Sequence, residues 1–463
     1  MKTGIRAITT ILCILGLVAC INKPADNANN TEQNVPPSAA INDSTGLAAS
    51  TQLLRSAEQV VVATPDALDS AVATAREHQA PLLVNDGSNS EAIEAELDRL
   101  GAKELQPETE QAPAYDNTTL LADYQPSATN QVALVTSDTD APSLLTAMAA
   151  GIPVELLPVA DPRASKTVVA EEAEGIYALG SGFKNFDRLH TLAAAGPVPG
   201  GETGLVFPGR RMIALYGHPS GPALGAMGEQ DPTASVERVT GLVTEYNQLN
   251  DDPANPFVPA FEVIATVASS SPGDDGDFSN ETSIEELRPY VEAIGKAGGY
   301  AVLDLQPGRA DFLDQAKHYQ ELLELPYVGL ALDPEWKIGP EEEPLSRVGS
   351  VAAAEINEVS TWLAQLCREK NLPQKVFVLH QFQAQMITDR NTVDVSHPEL
   401  AYVLHADGHG EPGQKFDTWN MLREGLQPEF FLAWKNFYDE DTPMFSPERT
   451  LAVQPRPWFI SYQ

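Results

Sequence analysis

Three cysteines in 463 residues are few, and two of them, Cys13 and Cys20, fall within the first twenty positions. Only Cys367 remains for the body of the chain, so no disulfide framework can hold it together. Cys367 lies in the helical pattern "TWLAQLCREK" and reads as a small core residue. Basic residues are also scarce. Lys and Arg number 29 against 65 Asp and Glu, a formal net charge of -36. This balance argues against nucleic acid as a partner and against adhesion to anionic lipid by charge alone. Most of the excess reads as a solvated acidic surface. Beyond the first twenty residues no apolar run is long enough to span a bilayer. Several catalytic signatures are missing too. No G-x-S-x-G elbow occurs, "GPALGAMGE" lacks the lysine of a phosphate loop, and "YDEDTP" and "GPEEEP" lack the ligand pattern of a calcium loop.

The N-terminus carries a clear signal. "MKTGIR" is a short basic stretch, "AITTILCILGLV" is apolar but short, and "LVAC" puts Cys20 directly after small residues. This resembles the bacterial lipoprotein signal. The resemblance implies a signal peptide over 1–19, a mature chain beginning at a lipidated Cys20, and anchoring on the extracytoplasmic face of the cell membrane. Residues 20–50 are rich in Asn, Ala, Thr and Ser without hydrophobic period, the composition of a flexible tether.

Residues 51–185 alternate strand and helix patterns: "QVVVAT", "PDALDSAVATAREHQ", "APLLVN", then "SEAIEAELDRLGAK" closed by glycine. The pattern recurs as "QVALVTS", "DAPSLLTAMAAG", "IPVELLPV" and "GIYALGSGF". Asp66-Ala67 matches Asp140-Ala141, and Pro81 matches Pro153. Such a duplicated unit predicts a parallel sheet with helices on it. These residues resemble the type 2 cell wall-binding repeat family, which implies attachment to a wall polysaccharide or peptidoglycan. A generic α/β spacer is the alternative reading.

Gly and Pro crowd "AAAGPVPGGETGLVFPG", so 186–209 reads as a linker. From 210 to 463 eight strand candidates alternate mostly with helical patterns: "RRMIALYG", "FEVIATVA", "YAVLDLQ", "YVGLALD", "KVFVLHQ", "LAYVLHA", "FFLAWKN" and "PWFISYQ". That is the signature of a (β/α)8 TIM barrel following an α/β domain, with the eighth helix absent or replaced by an earlier segment. The order of "ALYGHP", "VLDLQPG", "LALDPEW", "VLHQF" and "WKNFYDED" resembles a family of actinobacterial lipoproteins, which itself implies no particular activity.

Barrel active sites lie at the C-terminal ends of the strands. Here those ends are polar and aromatic almost throughout: Tyr216 and His218, Asp304 and Gln306, Asp333 with Glu335 and Trp336, His380 and Gln381, His405 and Asp407, Trp434 with Lys435 and Asn436, and Tyr462. Residues i and i+2 on a strand share a face, which sets Asp333 and Glu335 about 6–7 Å apart. Crowded carboxylates raise one another's pKa, so one can serve as a general acid near neutral pH. An Asp-x-Glu after the fourth strand resembles lysozyme-like and chitinase-like glycoside hydrolases. The resemblance implies Glu335 as the acid, with Asp333 beside it. Ala331 stands where the fuller motif has another Asp, and Asp304 could supply that carboxylate. The aromatics Tyr216, Trp336, Trp434 and Tyr462 suit sugar faces, and Gln306, Gln381, Lys435 and Asn436 suit hydroxyls.

Two other functions stay open. One is a barrel that binds wall glycan without cutting it. The other is a metal-dependent deacetylase or phosphoesterase using His405, Asp407 and His409 with His218 and His380. The leading expectation is a glycan hydrolase with neither metal nor other cofactor.

Overall fold

The computed structural model describes residues 38–107 and 115–463. The signal, Cys20 and the tether up to residue 37 lie outside the described residues.

The N-terminal part is built of strands β1 (Ala39–Ile41), β2 (Gln59–Ala63), β3 (Leu82–Val84), β4 (Lys103–Leu105), β5 (Gln131–Val135), β6 (Val154–Leu156) and β7 (Gly175–Leu179). They form two parallel sheets, ordered β3-β2-β4 and β1-β7-β5-β6. The repeat is visible in the pairing. Val61 donates its backbone N–H to the carbonyl of Pro81 at 2.9 Å, and Ala133 donates to Pro153 at 2.8 Å. Each proline precedes an edge strand, where its missing N–H costs nothing and its carbonyl still serves the central strand. Helices Leu68–His78 and Ala141–Ala149 begin at the two Asp-Ala pairs and share one apolar core with Val61, Leu82 and Leu179.

Two sequence boundaries move. The expected tether is structured from Ala39 on: β1 pairs in parallel with β7, and helix Leu47–Leu53 follows. Ile41 and Ala49 are buried, and one Ile among small polar residues is too weak a periodic signal to read in advance. The expected linker 186–209 contains helix Phe186–Ala193. Further on, its Val198, Val206 and Phe207 are buried against the inward-facing side chains at the N-terminal end of the barrel. That Gly/Pro-rich stretch is the barrel's floor.

The barrel strands are β8 (Arg211–Gly217), β9 (Phe257–Ala268), β11 (Tyr300–Leu305), β12 (Val328–Leu332), β14 (Lys375–Gln381), β16 (Leu400–Ala406), β17 (Phe431–Asn436) and β18 (Phe459–Tyr462). All eight run parallel, and pairing of β18 with β8 and of β8 with β9 closes the ring. Short β10 (Ser279–Glu281) extends β9 antiparallel, while β13 (Val351–Ala352) and β15 (Ile387–Thr388) pair with each other outside the ring. β18 is the last element of the described residues. Its Tyr462 reaches the helix Pro232–Leu249, with its hydroxyl 2.7 Å from that of Tyr246.

The α/β part is tied to the barrel by charge. Glu399, only 1% exposed, takes Arg188 at 3.2 Å and Arg368 at 3.0 Å, and Arg163 donates to the carbonyl of Pro398 at 2.7 Å.

Candidate active site

Side chains on a strand alternate in direction, so residues two apart share a face. One inward ring of the barrel is apolar: Ala214, Ala260, Val302, Ala331, Val378, Val403, Ala433 and Phe459, one from each strand, all in a single buried cluster. Two residues further along the chain from each of these the inward ring reads Tyr216, Glu262, Asp304, Asp333 (directly after β12), His380, His405, Lys435 and Ser461. All eight of these are buried. Every strand changes from apolar to polar over one pleat. Six ionisable side chains and a phenol buried together are costly, and a barrel built only for stability has no use for them.

The hydrogen bonds run across the ring. His380 donates from Nδ1 to Asp407 at 2.9 Å and from Nε2 to Glu262 at 2.8 Å. Asp304 Oδ1 stands 3.8 Å from the same Nε2. His405 packs against His380 with ring centroids 4.6 Å apart, its Nδ1 3.6 Å from Glu262 Oε1 and its Nε2 3.0 Å from Ser461 Oγ. Tyr216 donates to Asp304 Oδ2 at 2.9 Å and receives a bond from Gln306 at 3.2 Å. The Lys435 ammonium sits 3.6 Å from the centre of the Tyr216 ring, a cation–π contact away from water. Four buried polar atoms of this cluster have no hydrogen-bond partner among the described residues: Glu262 Oε2, Asp304 Oδ1, His405 Nδ1 and Asp407 Oδ1.

The environment sorts these groups by charge. Burial opposes ionisation of Glu262, but His380 and His405 beside it outweigh burial and hold its carboxyl below the ordinary range. Burial opposes the charge on Asp407 too, and the hydrogen bond from His380 prevails, so Asp407 is also held low. His380 is pushed down by burial but raised further by Glu262 and Asp407, and ends well above the usual imidazole value. His405 is lowered, mainly by burial. Asp304 goes the other way, pushed up to about 6 by burial. Burial and the charge of Asp304 raise Asp333 well above the carboxylate range. Glu335 is pushed up to about 7, by burial first and then by the charge of Asp407.

The Asp333–Glu335 geometry differs from the strand expectation. β12 stops at Leu332, and Asp333 caps a 3-10 turn, Pro334–Trp336, accepting from the backbone N–H of Glu335 at 3.2 Å. Proline at the first turn position breaks the pleat, so the two carboxyls are not strand neighbours on one face. Asp333 faces the barrel interior, while Glu335 and Trp336 stand half-buried at the rim.

Four other expected site residues point outward, into the layer between strands and helices. Trp434 is packed against Trp419 and Phe445, with its indole N–H on Asn436 Oδ1 at 2.9 Å. Asn436 in turn donates to Thr450 at 3.2 Å, and Tyr462 is tied to Tyr246. Gln381 donates to the carbonyls of Gln383 and Ala384 and accepts from Arg390. His218 is buried just past β8 and bonded to hydroxyls, Ser220 on Nδ1 and Thr282 on Nε2, each at 2.7 Å. His409 is exposed against the Phe437 ring and lies outside the cluster.

No protein-family model and no curated protein matches the chain.

Sequence reading misses Glu262, and it places Ser461 at the end of the last strand without giving it a role. Both carried a signal. Glu262 is a carboxylate inside an otherwise apolar strand pattern, in "PAFEVIATVA", at the inward parity set by Ala260. Ser461 has the parity of Phe459.

Proposed function

We propose that the barrel rim hydrolyses an envelope glycan, in a protein held to the membrane through lipid on Cys20 and to the wall through its N-terminal α/β part. One observation carries the reading. The rim holds one carboxyl, Glu335, that stays protonated up to about pH 7, near another, Asp407, that is held ionised by His380. Environments that push two carboxyls apart in this way supply an acid and a charge partner at neutral pH.

Glu335 gives its proton to the glycosidic oxygen as the C–O bond breaks. The developing positive charge at the anomeric carbon faces the Asp407 carboxylate. Water adds to that carbon, and the proton it releases restores the acid form of Glu335. Asp333 positions Glu335 by capping its turn, and Asp304, bonded to Tyr216 and Gln306 through the phenol, holds the ring below. Trp336 offers a half-buried aromatic face to a sugar.

The test is incubation of the full chain in detergent with purified envelope fractions, with Glu335→Gln in parallel, following new reducing ends by mass spectrometry. Release by the wild type alone is expected. Equal release by both forms rejects Glu335 as the acid. No release, with both forms co-sedimenting with the fraction, identifies a glycan-binding barrel without chemistry.

A further inference from the structure

We propose that Glu262, His380 and His405 form a site for one divalent transition-metal ion of the Zn2+ class, at the centre of the barrel. One ligand atom from each residue lies within 4.8 Å of the other two, and all three residues are fully buried. Glu262 Oε1 lies 2.8 Å from His380 Nε2 and 3.6 Å from His405 Nδ1. Metal–ligand bonds of about 2.1 Å place neighbouring donors roughly 3–3.4 Å apart, so these two pairs need shifts of only a few tenths of an ångström.

The unpartnered atoms point the same way. His405 Nδ1 and Glu262 Oε2 have no hydrogen-bond partner although nothing of either residue reaches solvent. Leaving such groups unmet is expensive, and a cation held by His405 Nδ1 and the Glu262 carboxylate would lower that cost. Asp304 Oδ1, also unmet and 3.8 Å from His380 Nε2, can complete the set.

The second argument is the far side of each imidazole. A ligating histidine is held by a partner on its other nitrogen, which fixes tautomer and ring orientation. His380 has Asp407 on Nδ1 at 2.9 Å, and His405 has Ser461 on Nε2 at 3.0 Å. Both rings already turn the other nitrogen toward Glu262, and His380 Nε2 would give up, on binding the ion, the proton it now directs at that carboxylate. Two imidazoles and a carboxylate select Zn2+ or its first-row neighbours over Mg2+ or Ca2+, and the absence of thiolate disfavours Cu+.

This site goes beyond the glycan reading, because it does not use Glu335. The full chain, stripped with chelator, is dialysed against Zn2+ and Co2+ in turn, and bound metal is measured by mass spectrometry and by the visible Co2+ spectrum. One ion per chain is expected, with nitrogen-ligand bands in the Co2+ form. His405→Ala and Glu262→Gln are expected to weaken binding at least ~100-fold, and Ser461→Ala, which leaves all three ligands in place, roughly 10–100-fold. Glu335→Gln is expected to bind as the wild type does, so loss of glycan cleavage and loss of metal are read separately. No stoichiometric metal on the wild type overturns the proposal. So does unchanged affinity in Ser461→Ala together with a folded His405→Ala.

Discussion

The two inward rings of the barrel make a natural experiment. They belong to the same eight strands, face the same interior and lie one pleat apart. The lower ring is closed by methyl groups and one phenyl ring. The upper carries six ionisable side chains, a phenol and a hydroxyl. Strand formation and closure are common to both, so the difference isolates what is added for chemistry. It also shows how the cost is limited. The charged members are paired, with His380 between Glu262 and Asp407, and Asp304 and Asp333 are pushed toward their neutral forms.

The sharpest way to break the comparison is at the rim. Glu335→Gln is expected to lower kcat for glycan release by about 10²–10⁴ while leaving the unfolding midpoint close to the wild type. In the wild type, kcat/KM should fall as pH rises through about 7, as Glu335 loses its proton; a flat profile from pH 6 to 8 would remove the acid role.

Next come paired substitutions one pleat apart. His380→Ala leaves Glu262 and Asp407 buried without their cation and should cost roughly 3–5 kcal/mol. Val378→Ala, directly below, loses only packing and should cost about 2 kcal/mol. Urea unfolding of both compares them, and equal costs would mean that the upper ring carries no special electrostatic burden.

The third test uses pH. Asp304 has a folded pKa of about 6, above its unfolded value, so the fold favours its protonated form. Its contribution is fully present below pH 4 and is lost as pH rises through 6, a change of about 3 kcal/mol. Glu262 and Asp407 act oppositely: their folded values are depressed, so their contribution is present above pH 4 and disappears as pH falls. Asp304→Asn should therefore gain stability relative to the wild type between pH 4 and pH 7, read as a shift in urea midpoint. No relative gain would mean that Asp304 is ionised without penalty.

The smallest effect is expected from the outward set. Trp434→Phe should lose about 1 kcal/mol of stability through its packing and its bond to Asn436, with kcat/KM unchanged. A change in substrate affinity there would reverse the assignment of inward and outward faces.

All eight barrel strands were legible in the sequence, because each is a short apolar run bounded by turn residues. The site was only half legible. Adjacent residues such as His380 and Gln381, or Lys435 and Asn436, were named together, although neighbours on a strand face opposite ways. Parity with the apolar ring below separates them. Glu262 escaped notice for a different reason. β9 continues past the rim to pair with β10, so the end of the strand is not the level of the ring. The Asp333–Glu335 pair was placed on a strand because Pro334 was not given its weight as a stop.

The barrel floor has a consequence for how this protein can be divided. Val198, Val206 and Phe207 close the N-terminal end, and Val206 donates its backbone N–H to Gln374 at 2.9 Å. A chain cut at residue 210, where the barrel pattern begins, would open that end to water and take the Val206 N–H from the Gln374 side-chain oxygen. A cut that keeps this floor must fall upstream of Val198. The stretch that looks most like a hinge is the one that cannot be cut.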